Sequence, residues 1–214
     1  MRPKVIVNCA MSADGKIAGV DRRQTRISSR EDMERVKRLR ASCDAIMVGV
    51  GTVIADDPHL TVKGLGPKEN PLRVIIDTLG RTPDNALVLD ERAETVIFHG
   101  ERCEKSWKGV RSIRCGEDRV DLHRAMEALG EMGVGTVMVE GGGELIASLF
   151  DQALVDEYLV FVGPMVIGGR MSPTPADGEG REGKDAIRLR FMGHEALGDG
   201  VLLHYSLDKD NDGS

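Results

Sequence analysis

The sequence predicts an α/β layered fold whose sheet ends in an antiparallel pair. Three observations carry this. Short β-rich runs alternate with segments of helical spacing along most of the chain. One run, VMVEGGG at residues 137–143, passes through three glycines directly into an apolar stretch that reads as a helix. The last two runs have no helix between them.

Residues 4–9 (KVIVNC) form the first strand. Residues 28–42 read as a helix: Ser28 and Glu31 have capping-box spacing, and Met33, Val36, Leu39 and Arg40 recur at helical intervals. AIMVGV (45–50) is apolar but too short for a typical helix, so it reads as a buried strand. LRVIID (72–77) and TVIFH (95–99) are two more strands, and 110–114 is a weaker one. Leu122, Ala125, Met126 and Leu129 mark a helix within 120–132. Strand 136–140 precedes a helix at 143–150. Strands at 155–162, 187–192 and 201–207 complete the sheet. Residues 168–184 are rich in glycine, proline and charge and read as a mobile loop. The chain divides into a single domain, 1–207, and a flexible acidic tail, 208–214.

At 214 residues, with 41% hydrophobic and 30% charged content, the composition is that of an ordinary soluble globular domain. No apolar run approaches the roughly 20 residues of a membrane span. The N-terminus lacks a signal-peptide pattern, so a cytoplasmic location is expected. A net charge of −6 argues against nucleic acid as a partner. The four cysteines have no metal-ligand spacing and the histidines are scattered, so no metal is expected; the cysteines read as small buried residues in a reducing compartment.

The chemistry concentrates in three stretches. Gly141, Gly142 and Gly143 stand between a strand and a helix, where glycines let the backbone approach a phosphate and the helix start offers N–H groups. No lysine and hydroxyl residue follow them, which excludes a Walker A loop. VGVGTVIADDPHLTV (48–62) carries a Gly-x-Gly-Thr turn with Thr52, Asp56 and Asp57. NCAMSADGKIAG (8–19) carries Asp14 in an Asp-Gly turn.

MSADGKIA, LRASCDAIMVGVGTVIADDPHLTV, RVIID, VMVEGGGEL and GPMVIGG, in that order, resemble the riboflavin-pathway reductases of the stand-alone archaeal and fungal type, and the likeness runs from Val5 to about Leu207. It implies a dihydrofolate-reductase-like fold: a central mixed, mostly parallel sheet with helices on both faces and an antiparallel end. It implies hydride transfer from NADPH, with NADH as a second acceptable donor, to C1′ of a ring-opened ribosylamino-pyrimidine phosphate. Thr52, Asp56, Thr78, Leu79, Gly80, Arg81, Gly141, Gly142, Gly143 and Glu144 match cofactor positions, Arg81 at the 2′-phosphate. Gln24, Arg40, Leu60, Lys63 and Glu140 match substrate positions, with Arg40 and Lys63 expected to pair on the 5′-phosphate. Arg26 stands where bacterial relatives have a tryptophan. Asp14 is the candidate for proton traffic. The zinc deaminase pattern of the bifunctional relatives does not occur, so no deaminase activity is expected. A homodimer is implied, with the apolar run 158–162 as a contact. The alternatives left open are a reductase of the deaminated pyrimidine, a dihydrofolate-reductase-like enzyme, and a nucleotide-binding module without catalysis.

Overall fold

The computed structural model describes residues 1–23 and 25–207; Gln24 and the expected tail, 208–214, lie outside the described residues. Among the described residues nine strands form one sheet: β1 (Lys4–Ser12), β2 (Ala45–Gly49), β3 (Leu72–Ile76), β4 (Thr95–His99), β5 (Arg111–Arg114), β6 (Thr136–Gly141), β7 (Glu157–Gly163), β8 (Leu189–Leu197) and β9 (Gly200–Leu207). Their order is β5-β4-β3-β2-β6-β1-β7-β9-β8. Neighbours from β5 through to β7 pair in parallel, whereas β9 runs antiparallel to both β7 and β8. The expected mostly parallel sheet with an antiparallel end is therefore present.

Alternation within the strands builds a core on each face. On one face Ala45 and Met47 of β2 join Val5 and Val7 of β1, covered by Ala125, Met126 and Leu129 of α3 (Leu122–Glu131) and by Ile146 and Leu149 of α4 (Gly143–Asp151). On the other, Ile46 and Val48 pack with Ile75, Ile97, Trp107 and Val53, the last from α2 (Val50–Asp56). Among the described residues no helix is long and apolar enough to cross a membrane.

The helix α1 (Arg30–Ser42) starts one residue later than its capping pattern suggested. Ser29 is the N-cap, and its hydroxyl accepts from the N–H of Asp32. Its inner stripe is polar. Asp32, 1% exposed, accepts from Arg35, which also donates to Asn8 Oδ1 of β1 at 2.7 Å. The apolar positions Met33 and Val36 line a cleft instead.

Two expectations need correction. The Gly-x-Gly-Thr stretch at 49–52, read as a turn, instead opens α2, and 57–62 are irregular. The loop 168–184 is anchored in its first half: Lys16 Nζ donates to Ser172 O, Ile17 N to Pro173 O, and Asp177 N to Gly143 O. Exposure is continuous only over 178–186. The run 158–162 lies in an interior strand between β1 and β9, with Val160 and Phe161 buried and Tyr158, Leu159 and Val162 half-buried.

Arg73, fully buried in β3, holds the connection to β4. It donates to Thr95 Oγ1 and Asp90 Oδ1, each at 2.9 Å, and to the carbonyls of Asp90 and Ala93. Replacing it orphans several acceptors at once. Arg73→Met is expected to lower unfolding free energy by about 3 kcal/mol or more, read by urea denaturation. A variant as stable as the parent would show that these acceptors are satisfied otherwise.

Candidate active site

A cleft of about 1430 Å³ opens at the carboxyl ends of β1, β2, β3 and β6, the usual place for ligands in open α/β sheets. Two helix starts converge there. Gly142 caps α4 and Gly49 caps α2, and neither helix has a side-chain cap. Their first N–H groups thus have no intrahelical acceptor. The turns nearly touch: a Cβ on Gly49 would lie 3.7 Å from Gly142 N, and one on Gly142 would lie 3.3 Å from Thr52 Oγ1. The Gly141–Gly142 peptide is cis, and Gly141 has φ +142°. The arrangement is a concave cradle of backbone N–H groups with a hydroxyl on its rim.

Gly143 has a different reason to be glycine. A Cβ there would come within 2.7 Å of Asp177 Oδ2 and 2.8 Å of Thr174 O. Asp177 folds its own loop by accepting from Thr174 N and Oγ1. Pro173, Pro175 and Asp177 so become part of the cleft wall.

At the cleft floor Arg40 of α1 meets Glu140 of β6. Nε donates to Oε1 and Nη2 to Oε2, both at 2.6 Å, in a bidentate pair. The side chains are 27% and 11% exposed. Burial alone would lower the Arg40 pKa, but the Glu140 charge outweighs it and the guanidinium is held more firmly protonated than usual. Arg40 and Lys63, expected to pair on a phosphate, both line the cleft. Arg40 is committed to Glu140, while Lys63 is exposed on the cleft wall.

Asp77, fully buried, shapes the opposite wall. Its Oδ1 accepts from Arg81 N at 2.9 Å and its Oδ2 from Thr82 N and Oγ1 at 2.7 Å. This folds 78–81 so that Thr78, Leu79 and Arg81 line the cleft.

Thr52, Asp56, Thr78, Leu79, Arg81, Gly141, Gly142, Gly143, Glu144, Arg40, Lys63 and Glu140 thus share one cleft. Three expected residues do not line it. Gly80 has φ +73°, and a Cβ there would sit 2.6 Å from Cys103 Sγ, so it is needed for the turn. Leu60 is 2% exposed in the second core. Asp14 accepts from Ser12 Oγ, Ile167 N and Gly168 N, clamping the turn after β7. The Ser12 hydroxyl above all, then those N–H groups, hold its carboxyl down to about 2, so it is no proton donor near neutrality. The sequence reading missed Lys37, the wall 173–177 and the segment of Asp118, Arg119 and Val120, all on the cleft. The Pro-Thr-Pro-Ala-Asp pattern was a turn signal for the second of these; nothing in the sequence ties the third to this cleft.

Solved structures share the fold of this α/β sheet. The bifunctional diaminohydroxyphosphoribosylaminopyrimidine deaminase/5-amino-6-(5-phosphoribosylamino)uracil reductase of Thermotoga maritima superposes with TM-score 0.84 at 23% identity, over 97% of this chain and 57% of that one. The riboflavin biosynthesis reductase Rib7 of Saccharomyces cerevisiae gives 0.79 at 24%, over 97% and 90%. The chain belongs to the family of the RibD C-terminal domain, which matches residues 3–203. It is 44% identical, over 97% of its length and 99% of the relative's, to the 2,5-diamino-6-ribosylamino-4(3H)-pyrimidinone 5′-phosphate reductase of Methanothermobacter thermautotrophicus. To the protein of the same name from Archaeoglobus fulgidus it is 48% identical over 84% of this chain and 88% of the relative's.

An unfolded aspartate titrates near 3.9, so the Asp14 clamp is complete above about pH 4 and weakens as pH falls towards 2. Asp14→Asn is expected to speed proteolysis around residues 165–170 at neutral pH. The pH profile of activity between about pH 5 and 9 should keep its shape; loss of one limb would return Asp14 to the chemistry.

Proposed function

We propose that this chain is a riboflavin-pathway oxidoreductase. It reduces the ribosylamino group of 2,5-diamino-6-(ribosylamino)-4(3H)-pyrimidinone 5′-phosphate to the ribitylamino group, with NADPH as donor. One observation carries the reading: a single cleft joins a phosphate cradle made by two helix starts to an ion-paired carboxylate. Its volume of about 1430 Å³ exceeds the roughly 300–1,000 Å³ of a one-ligand pocket, so two ligands fit side by side. The archaeal relatives at 44% and 48% identity, named for this reductase, support the substrate.

The residues fit a dinucleotide phosphate. The first N–H groups of α2 and α4 suit a pyrophosphate, Thr52 Oγ1 lies beside the glycines, and Leu79, 59% exposed, offers an apolar face at the cleft. When bound, NADPH supplies the hydride. The chain's part is positioning. Glu140 accepts from amino or ring N–H groups of the pyrimidine, and Arg40 holds that carboxylate aimed. Lys63 meets the 5′-phosphate as a point charge. Holding donor and acceptor side by side in a walled cleft turns an encounter between two molecules into a reaction within one complex.

Three variants test this division of labour. Gly142→Val puts a branched side chain against Thr52 Oγ1. It should abolish the rise in melting temperature that NADPH gives the parent, with unchanged circular dichroism showing that the fold survives. A preserved rise would remove the dinucleotide from this cradle. Lys63→Ala should weaken the phosphorylated substrate about tenfold or more and leave the dephosphorylated one unaffected, since a charge-assisted hydrogen bond is worth about 1.5–3 kcal/mol. Arg40→Ala should weaken both substrates, because it acts through Glu140. If Arg40→Ala spared the dephosphorylated substrate, Arg40 would be gripping the phosphate after all. Steady-state oxidation of NADPH with the diamino substrate and with its deaminated counterpart separates the two substrate readings, and the faster one names the reaction. No oxidation with either would overturn the proposal.

A further inference from the structure

We propose that Arg119, in the segment between β5 and α3, is a specificity-determining residue that completes a two-arginine site with Arg81 for the 2′-phosphate of the dinucleotide. This rests on the donor reading above and assigns the group that tells NADPH from NADH.

The segment is built to present that side chain. Gly116 has φ +103°, and a Cβ there would lie 2.2 Å from Arg119 O, so the chain turns back on itself at this glycine. Both ends are pinned: Glu101 N donates to Gly116 O, and Asp121 N to Cys115 O. The turn is also joined to the loop that carries Arg81, because Val120 N donates to Thr78 Oγ1 at 3.4 Å. Two separate connections of the chain thereby make one wall, and Arg81 and Arg119 both line the cleft on it.

Their charges are uncommitted. Among the described residues neither guanidinium enters an ion pair or a side-chain hydrogen bond, unlike Arg40, Arg73 and Arg35. The nearest acid in the same turn, Asp118, also lines the cleft, but its carboxylate is taken by Arg102 at 2.5 Å. Two cations on one wall, in a chain of net charge −6, suit a dianionic monoester better than a hydroxyl. Leu79, between Thr78 and the Arg81 turn, offers the apolar face on which an adjoining purine can lie. The Arg40 and Glu140 pair, on α1 and β6, lines the same cleft from other elements.

Isothermal titration with 2′,5′-ADP and with 5′-AMP tests the assignment without turnover. The parent should bind 2′,5′-ADP at least about tenfold more tightly, and the ratio should shrink as salt is raised. Arg119→Ala should cut 2′,5′-ADP affinity about tenfold or more and change 5′-AMP affinity little. Arg119→Lys should recover part of the loss, which a merely structural role would not do. Arg119 is exposed, and an unchanged melting temperature confirms the fold. Arg119→Ala retaining the parent ratio overturns the inference, and so does a parent that does not distinguish the two nucleotides. If either result came with oxidation of NADPH or NADH by the parent, the proposed reduction would stand and only this site would fall. A parent that oxidises neither dinucleotide would sink the proposed reduction itself, whatever its nucleotide ratio.

Discussion

The cleft depends on the ion pair between Arg40 and Glu140. A carboxylate placed at the end of β6, one residue before the glycine turn, is itself attracted to the open start of α4. Left alone it would compete with any incoming phosphate. Arg40 accepts that charge through two parallel hydrogen bonds of 2.6 Å and ties α1 to β6 while doing so. The desolvation of such a pair offsets much of its Coulomb attraction, so its contribution to stability is small. Its value lies in geometry: one anionic acceptor with a set direction, beside a cradle left free for another anion.

Much of the fold was legible because strand runs such as AIMVG and TVIFH are short, apolar and bounded by turn residues. α3 declared itself through Leu122, Ala125, Met126 and Leu129, all buried. α2 did not. It has seven residues, begins at Val50 after a capping glycine and contains Gly51 and Thr52, all of which favour a turn locally. Tertiary packing of Val50 and Val53 decides in favour of helix. α1 shows the opposite case: its apolar spacing revealed a helix, yet the stripe facing the sheet is Asp32 and Arg35.

The site was legible as segments and less so as side chains. Sequence order brought the right stretches together, but direction is settled by neighbours far along the chain. Leu60 and Lys63 stand three residues apart, one in the core and the other on the cleft. Gly80 follows two lining residues and serves only their turn. Asp14 looked like a turn residue and is one, although the N–H groups it clamps lie beyond β7. Arg119 carried no local signal, since its place on the cleft wall comes from Gly116 and from a bond to Thr78.

The position of β1 carries a consequence for how the chain comes to be folded. It is the first strand of the sheet in sequence order, yet it lies inside the sheet between β6 and β7, with Lys4 opposite Thr136 and Ile6 opposite Glu157. Parallel pairing over such separations carries a large loop-closure cost and belongs to slow, high-contact-order folding. During synthesis the Val5, Ile6 and Val7 run therefore stays without a strand partner until β6 has been made, and gains its second only with β7. Assembly of the sheet centre, and of the cleft that opens at its carboxyl edge, therefore waits for β6 and β7.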